Sequence, residues 1–324
     1  MKSVGIDIAK DKFEVCLLDE ERREKQISLP NTRGGINQLS RWLKKQGAIQ
    51  AQLCLEATGI YGEPLAEAMH QRGYGVSVVN PARIKAYAAS QMRRSKTDKL
   101  DAALIADYCR SQPPAAWSPP AAEVKELRTL VRHLEDLKQE HRRAKNRLET
   151  QREAVVVRHL KQQIRLLEQQ IEQTEQAIRD HIDRHPDLKR DRDLLDSIPG
   201  IGHLTACVLL AELGDIRRFD DVRELVAFVG LNPRQRQSGK KRSTQGISRM
   251  GSASLRAALY MPAIVAKTHN PCLNAWAETL TRRGLSGKQV IVAVMRKLLH
   301  LAYGVLKHEQ PFDPHYLPNQ AAHA

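Results

Sequence analysis

Residues 111–123 read SQPPAAWSPPAAE, and this stretch limits the fold more than any other. Each Pro-Pro pair, at 113–114 and 119–120, lacks two amide donors, and its rings clash with a preceding helical turn. Neither a helix nor a central strand can run through it. The chain is therefore broken here, and the apolar periodicity changes across the break. Upstream, short apolar runs alternate with helical stretches, whereas downstream apolar residues recur at spacings of four and three. A chain of 324 residues has room for two or three domains, each with its own core.

In residues 1–118, SVGIDIA and KFEVCLLD are short apolar runs with a polar break between them, as in a hairpin, and EKQISLP supplies a third strand. GGINQLSRWLKKQG has helical spacing through Ile36, Leu39 and Leu43 and a stop at Gly47. AQLCLEAT reads as a buried strand, YGEPLAEAMHQRGY as a helix, and GVSVVNP as a strand ended by Pro81. Three strands, then helix, strand, helix, strand and further helices, predict a mixed sheet flanked by helices, the α/β class.

Residues 119–187 carry two long charged helical stretches. In the second, Leu160, Ile164, Leu167, Ile171, Thr174 and Ile178 form an a/d heptad seam, and Leu127, Val131, Leu134, Leu137 and Leu148 form a less regular one in the first. The two either fold back on each other with a turn near 152–156 or pair with another subunit. Residues 188–324 read as mainly helical. In SIPGIG, Pro199, Gly200 and Gly202 make a tight turn before a long apolar helix, as in a helix-hairpin-helix element whose free amides hold a phosphate. A helix corner that uses glycine for close packing fits the same residues.

The formal net charge is +15, and the bases are spread along the whole chain, which predicts a polyanionic partner. Four Phe and three Trp are too few for a base-stacking platform, so duplex or structured nucleic acid is the better match. Cys16, Cys54, Cys109, Cys207 and Cys272 form no metal-ligand pair and read as buried small side chains in a reducing compartment. MKSVGIDIAKDKFEV leaves no room for a signal-peptide core, and no later apolar run is expected to reach the length of a membrane span. These features predict a cytoplasmic protein with no membrane partner.

From Asn232 to Tyr260 there is no acidic residue, while Arg234, Arg236, Lys240, Lys241, Arg242, Arg249 and Arg256 are all present, interleaved with glycines and hydroxyls. Such a loop suits a phosphodiester backbone. Ser238, flanked by these bases, could attack phosphorus with the cations stabilising the transition state. It could equally hydrogen-bond a phosphate, and Ser243, Ser248, Ser252 and Ser254 compete for the role.

KTDKLDAALIA places Asp98 and Asp101 on one face of a helix. Alone, this is a helix start with Thr97 as N-cap and acids facing the dipole. Asp7, however, lies inside an apolar strand, and Glu56 closes another. If the first and fourth strands are neighbours, all four acids converge at one end of the sheet. They could not all stay ionised without cations, and two Mg²⁺ ions would solve this while setting up phosphoryl transfer.

The set GIDIAK, CLEATGIYGEPLAEAM, VVNPARIKAYAAS, KTDKLDAALIADYCR, SIPGIG, FVGLNP, SGKKRSTQGISRMG and LRAALYMPA resembles the insertion sequence one-ten family of transposases, the bridge-RNA-guided DEDD recombinases. The resemblance runs in order along nearly the whole chain and is weakest in the coil. It implies a RuvC-like, RNase H-like domain at 1–118, a coiled coil at 119–187 and a C-terminal transposase domain at 188–324. It also implies a metal tetrad of Asp7, Glu56, Asp98 and Asp101 holding two Mg²⁺, with Mn²⁺ as an alternative, and a nucleophilic Ser238 that forms a phosphoserine intermediate. The implied partners are donor and target DNA, a noncoding bridge RNA and further copies of the chain, as a dimer or a tetramer on DNA. Lys96 and the bases around Ser238 are placed to meet phosphates. Two other readings compete: a Holliday-junction-type nuclease using water as nucleophile, and a noncatalytic nucleic-acid-binding protein.

Overall fold

The structure is a computed structural model that describes residues 2–57, 59–92, 97–238 and 241–315, with the backbone alone at 60, 235–238 and 241–245. The chain divides into two units, residues 1–119 and 120–324.

In the first unit, β1 (Ser3–Ile8), β2 (Lys12–Leu18) and β3 (Glu24–Pro30) form an antiparallel meander, followed by α1 (Arg33–Lys45) and β4 (Gln52–Glu56). Next come α2 (Glu63–Gln71), β5 (Gly75–Val79), α3 (Pro81–Ser90) and α4 (Asp98–Ser111). The sheet order is β3-β2-β1-β4-β5. β4 runs parallel to both β1 and β5. The expected mixed sheet is present, and its order is compatible with an RNase H-like domain.

Strand alternation sorts the two faces. Val4, Ile6, Phe13, Val15, Leu53 and Leu55 pack with Leu39, Leu43, Leu65 and Met69 of α1 and α2 on one side. On the other side α4 lies over β1, β2 and β4. Ala102, Ala103 and Ala106 meet Cys16 and Leu18, while Leu104, Ile105 and Tyr108 meet Cys54 and Val79. Gly5 permits this close seat, since a Cβ there would stand 2.2 Å from both the Ala102 carbonyl oxygen and the Ala106 amide. The proline-rich segment does more than separate the units. Its Trp117 amide donates to the Val76 carbonyl at 2.7 Å, and buried Ser77 donates to Ala115 O at 2.9 Å, so the segment is tied to β5.

In the second unit, α5 (Ala122–Thr150) and α6 (Ala154–Arg184) pack on each other within one chain. The break at 151–153 falls slightly before the expected turn. Leu137, Ala144, Ile164 and Leu167 form the distal seam, and Leu127, Val131, Leu134, Ile178 and Ile182 join the main core of the unit. That core also takes α7 (Pro186–Asp196), α8 (His203–Leu213), α9 (Val222–Val229), α10 (Ala253–His269), α11 (Pro271–Arg282) and α12 (Gly287–His308).

Three expectations are corrected here. The basic stretch after α9 is not a loop but a hairpin of β6 (Pro233–Ser238) and β7 (Lys241–Ile247). Its arginines and glutamines carry no apolar alternation to announce a strand. Among the described residues α12 is long and apolar enough to cross a membrane, although no such run was expected, and half of its apolar stretch is buried. Val294, Leu298, Leu299 and Ala302 are enclosed in the core. Four cysteines are buried as expected, but Cys272 is exposed.

Candidate active site

Parallel pairing decides where the acids go. Gly5 faces α4, so Asp7, two residues on, faces the same side near the C-terminal end of β1. Gly5 and Cys54 are register partners, which sets Glu56 beside Asp7 at the matching end of β4. α4 starts at this same end. Thr97 caps it, accepting the Leu100 amide at Oγ1 (3.3 Å), and Asp98 and Asp101 occupy the first turn. The helix-start reading and the converging-acid reading therefore both describe the same residues.

The consequence is electrostatic. Asp7 is half-buried, and its pKa is pushed from the ordinary 3.8 up to about 6. Burial is the largest cause, followed by the negative charges of Asp101, Asp98 and Glu56, while a hydrogen bond from the Ile8 amide acts the other way. Like charges that cannot disperse into water favour the protonated form.

A cation of the protein itself answers part of this charge. Lys12 Nζ lies 3.1 Å from Asp98 Oδ2 and 3.0 Å from Glu14 Oε1. Hydrogen bonds to Glu14 and then to Asp98 hold the Lys12 pKa above its ordinary value. Glu14 is buried, stands directly across from Asp7 in the β1–β2 register, and accepts from Ser28 Oγ at 2.8 Å. Sequence reading missed Lys12 and Glu14. The signal was the pair of charged residues two apart in KDKFEV, which became interpretable only once the hairpin register put them on Asp7's face.

The donor set is entirely carboxylate oxygen, the chemistry of a hard divalent cation. After burial, the negative charges of Asp101, Asp98 and Glu56 are what hold the Asp7 pKa up, and such a cation would relieve them. Among the described residues no three Asp, Glu, His or Cys side chains close on one point. Asp98, with its side chain 57% exposed, is turned to Lys12 instead.

In the second unit Ser238 ends β6, with Lys241 as its register partner at the hairpin tip. Arg236 pairs with Ser243 and Gln237 with Arg242. Arg234 and Arg249 are exposed. Lys96 and Lys240 lie outside the described residues. Two members of the basic stretch are committed to structure. Arg256 donates to the carbonyls of Val229 (2.8 Å) and Gly251 (2.9 Å), and Ser252 caps α10 by accepting the Leu255 amide. At the SIPGIG turn, Gly200 has φ +108° and packs so closely that a Cβ would stand 2.5 Å from that of Ala266, which is the packing reading. Gly202, at the start of α8, faces open space.

Comparison with known proteins gives concordant matches. A DEDD family model of IS110 type, described as transposase, matches residues 4–156. A model described as transposase of the IS116/IS110/IS902 family matches residues 192–278. The pilin gene-inverting proteins of Moraxella bovis and Moraxella lacunata are each 34% identical over 319 residues, covering 96% of this chain and 97% of theirs. The transposase for insertion sequence element IS1111A of Coxiella burnetii is 27% identical over 353 residues, covering 96% of this chain and 91% of its own.

Proposed function

Since the chain belongs to the IS110 family of transposases, we propose that it cuts and rejoins donor and target DNA through a phosphoserine formed on Ser238, assisted by a divalent-metal site on Asp7, Glu56, Asp98 and Asp101. The observation that carries the metal site is the parallel register that sets Asp7 beside Glu56 at the end of the sheet where the first turn of α4 holds Asp98 and Asp101. In this reading residues 1–118 form the RuvC-like catalytic domain, 119–187 the coil and 188–324 the transposase domain with the serine. The protein works in the cytoplasm as a homo-oligomer, a dimer or tetramer on DNA, and a structured noncoding bridge RNA selects the sites by base pairing.

Serine attack forms an Oγ–P bond and breaks the P–O bond to the departing strand, whose oxygen takes a proton. In rejoining, a strand-end hydroxyl attacks the phosphoserine, and the serine oxygen recovers a proton as it leaves. Phosphate ester energy is thus conserved between the two steps. Mg²⁺ or Mn²⁺ held by the carboxylates would supply charge neutralisation at the phosphate. Gly202 and the bases Arg234, Arg236, Lys241, Arg242 and Arg249 hold backbone phosphates.

The test is a denaturing gel for a covalent protein–DNA adduct, with purified protein, the RNA encoded beside its gene, Mg²⁺ and labelled junction DNA. An adduct that disappears in both Ser238→Ala and Asp98→Ala supports the proposal. Cleavage without an adduct, unchanged in Ser238→Ala, would make the protein a water-using nuclease of the junction-resolving kind.

A further inference from the structure

The α5–α6 hairpin is electrically divided along its length. Its distal part, residues 138–168, carries nine Lys and Arg against four Glu, a net charge of +5. The proximal parts, 122–137 and 169–184, carry five against eight, a net charge of −3. Three of the eight proximal acids, Glu175, Glu126 and Asp183, pair with Lys138, His181 and Lys189, and the proximal Arg132 pairs with Glu212 of α8. Distally, Glu168 takes His141 and Lys145. Arg142, Arg143, Arg147, Arg158, Lys161 and Arg165 are all exposed, and among the described residues none has an acidic partner.

We infer that this distal half of the hairpin is a docking surface for the backbone of duplex DNA. The inference rests on the DNA-handling reading above and adds a site to it. Cations of one sign at this density repel one another unless a polyanion lies across them. The buried seam of Leu137, Ala144, Ile164 and Leu167 fixes the two helices, so the charges are displayed on a stiff support. The distal stretch of α5 extends about 20 Å at 1.5 Å per residue, a length over which B-DNA presents roughly a dozen phosphates. No Phe, Tyr or Trp occurs between 138 and 168, so the surface offers no aromatic ring for unpaired bases to stack on. That composition favours duplex over single-stranded RNA. Its exposed large apolar side chains are Val155 and Leu166, against nine Lys and Arg in the same stretch.

The experiment is a salt titration of full-length protein binding a fluorescent DNA duplex, read by anisotropy, for two triple variants of equal charge change. One is Arg158→Gln with Lys161→Gln and Arg165→Gln, residues that share one face of α6. The control is Lys125→Gln with Arg179→Gln and Arg184→Gln on the proximal half. Each phosphate that a variant no longer neutralises lowers the slope of log affinity against log salt by about 0.9, so the distal triple is expected to lower it by about 2 to 3 and to weaken binding at least tenfold near 0.1 M salt. The control should stay close to wild type. An unchanged slope in the distal triple, or an equal drop in both triples, overturns the inference while leaving DNA binding intact. A drop for a structured RNA probe alone overturns the assignment to DNA. Absence of duplex binding by the wild type would instead remove the reading on which the inference rests. If the α6 triple loses helicity by circular dichroism, Arg142→Gln with Arg143→Gln and Arg147→Gln on α5 answers the same question.

Discussion

Replacing Asp7 by asparagine removes one charge from the acidic cluster and nearly nothing from the packing, so it separates stability from metal binding. The shift of Asp7 from 3.8 to about 6 corresponds to about 3 kcal/mol at 1.36 kcal/mol per pKa unit, and solvent screening of a half-buried group reduces this to roughly 1–2 kcal/mol. The sign is set by proton binding. Between pH 4 and 6 the folded state holds on Asp7 a proton that the unfolded state has released, so the contribution of Asp7 to the stability of the first unit falls as pH rises through this window and then levels off. Without metal, Asp7→Asn is expected to lack that slope and, at pH 8, to be more stable than wild type by about 1–2 kcal/mol. With Mg²⁺ at a hundred times its dissociation constant the wild type gains about 2.7 kcal/mol, and the variant gains far less, so the order reverses. Urea denaturation in EDTA and in Mg²⁺ measures this, and a Trp276→Phe background leaves the emission to Trp42 and Trp117 of the first unit. An Asp7→Asn protein less stable than wild type in EDTA at pH 8, or one that keeps the acid slope, would refute the like-charge account.

Lys12→Gln should lower the melting temperature more in EDTA than in Mg²⁺, because the lysine neutralises Asp98 only while no ion does, and Lys12→Arg should restore the wild-type pattern; equal losses in both buffers would make Lys12 merely structural. Gly5→Ala forces backbone apart at α4 and should cost about 3 kcal/mol or more in chemical denaturation, with loss of metal-dependent stabilisation. An unchanged midpoint would mean that α4 is not seated as described. His300 is half-buried with no hydrogen-bond partner at Nε2, and burial, then Lys297 and Arg296, pull its pKa down to about 4. The unfolded state protonates first, so stability should fall as pH drops from 6.5 toward 4, and His300→Leu should flatten that limb of the pH profile.

Much of the acidic site is legible in the sequence because burying a carboxylate is costly. An aspartate inside VGIDIA and a glutamate ending QLCLE stand out against their apolar neighbours, and Thr97 marks the start of the helix that brings Asp98 and Asp101. The succession of strands and helices in the first unit was readable because its apolar runs are short and well punctuated, whereas the sheet order β3-β2-β1-β4-β5 came only from the structure. What escaped depended on pairing. Lys12 and Glu14 look like ordinary surface charges until Glu14 is found across from Asp7. The β6–β7 hairpin has no apolar face to announce it. α12 was hidden as an apolar run by Lys288, Arg296, Lys297 and Lys307. The heptad seam of α6 serves a partner helix in the same chain as well as one from another subunit, and the bend at Gln151–Arg152–Glu153 carries neither Gly nor Pro to mark it.

The order of the site residues along the chain has a consequence for biosynthesis. Asp7 and Glu56 come together only when β4 has paired alongside β1, and α4 completes the acidic end once residue 111 has left the ribosome. Ser238 follows Asp101 by 137 residues, about 7 to 27 s of elongation. Throughout that interval the nascent chain holds the four acids but not Ser238, so under the proposed function it can load metal without breaking a strand. Under the same reading, prematurely terminated chains share this state, and strand breakage waits until translation has passed the β6–β7 hairpin.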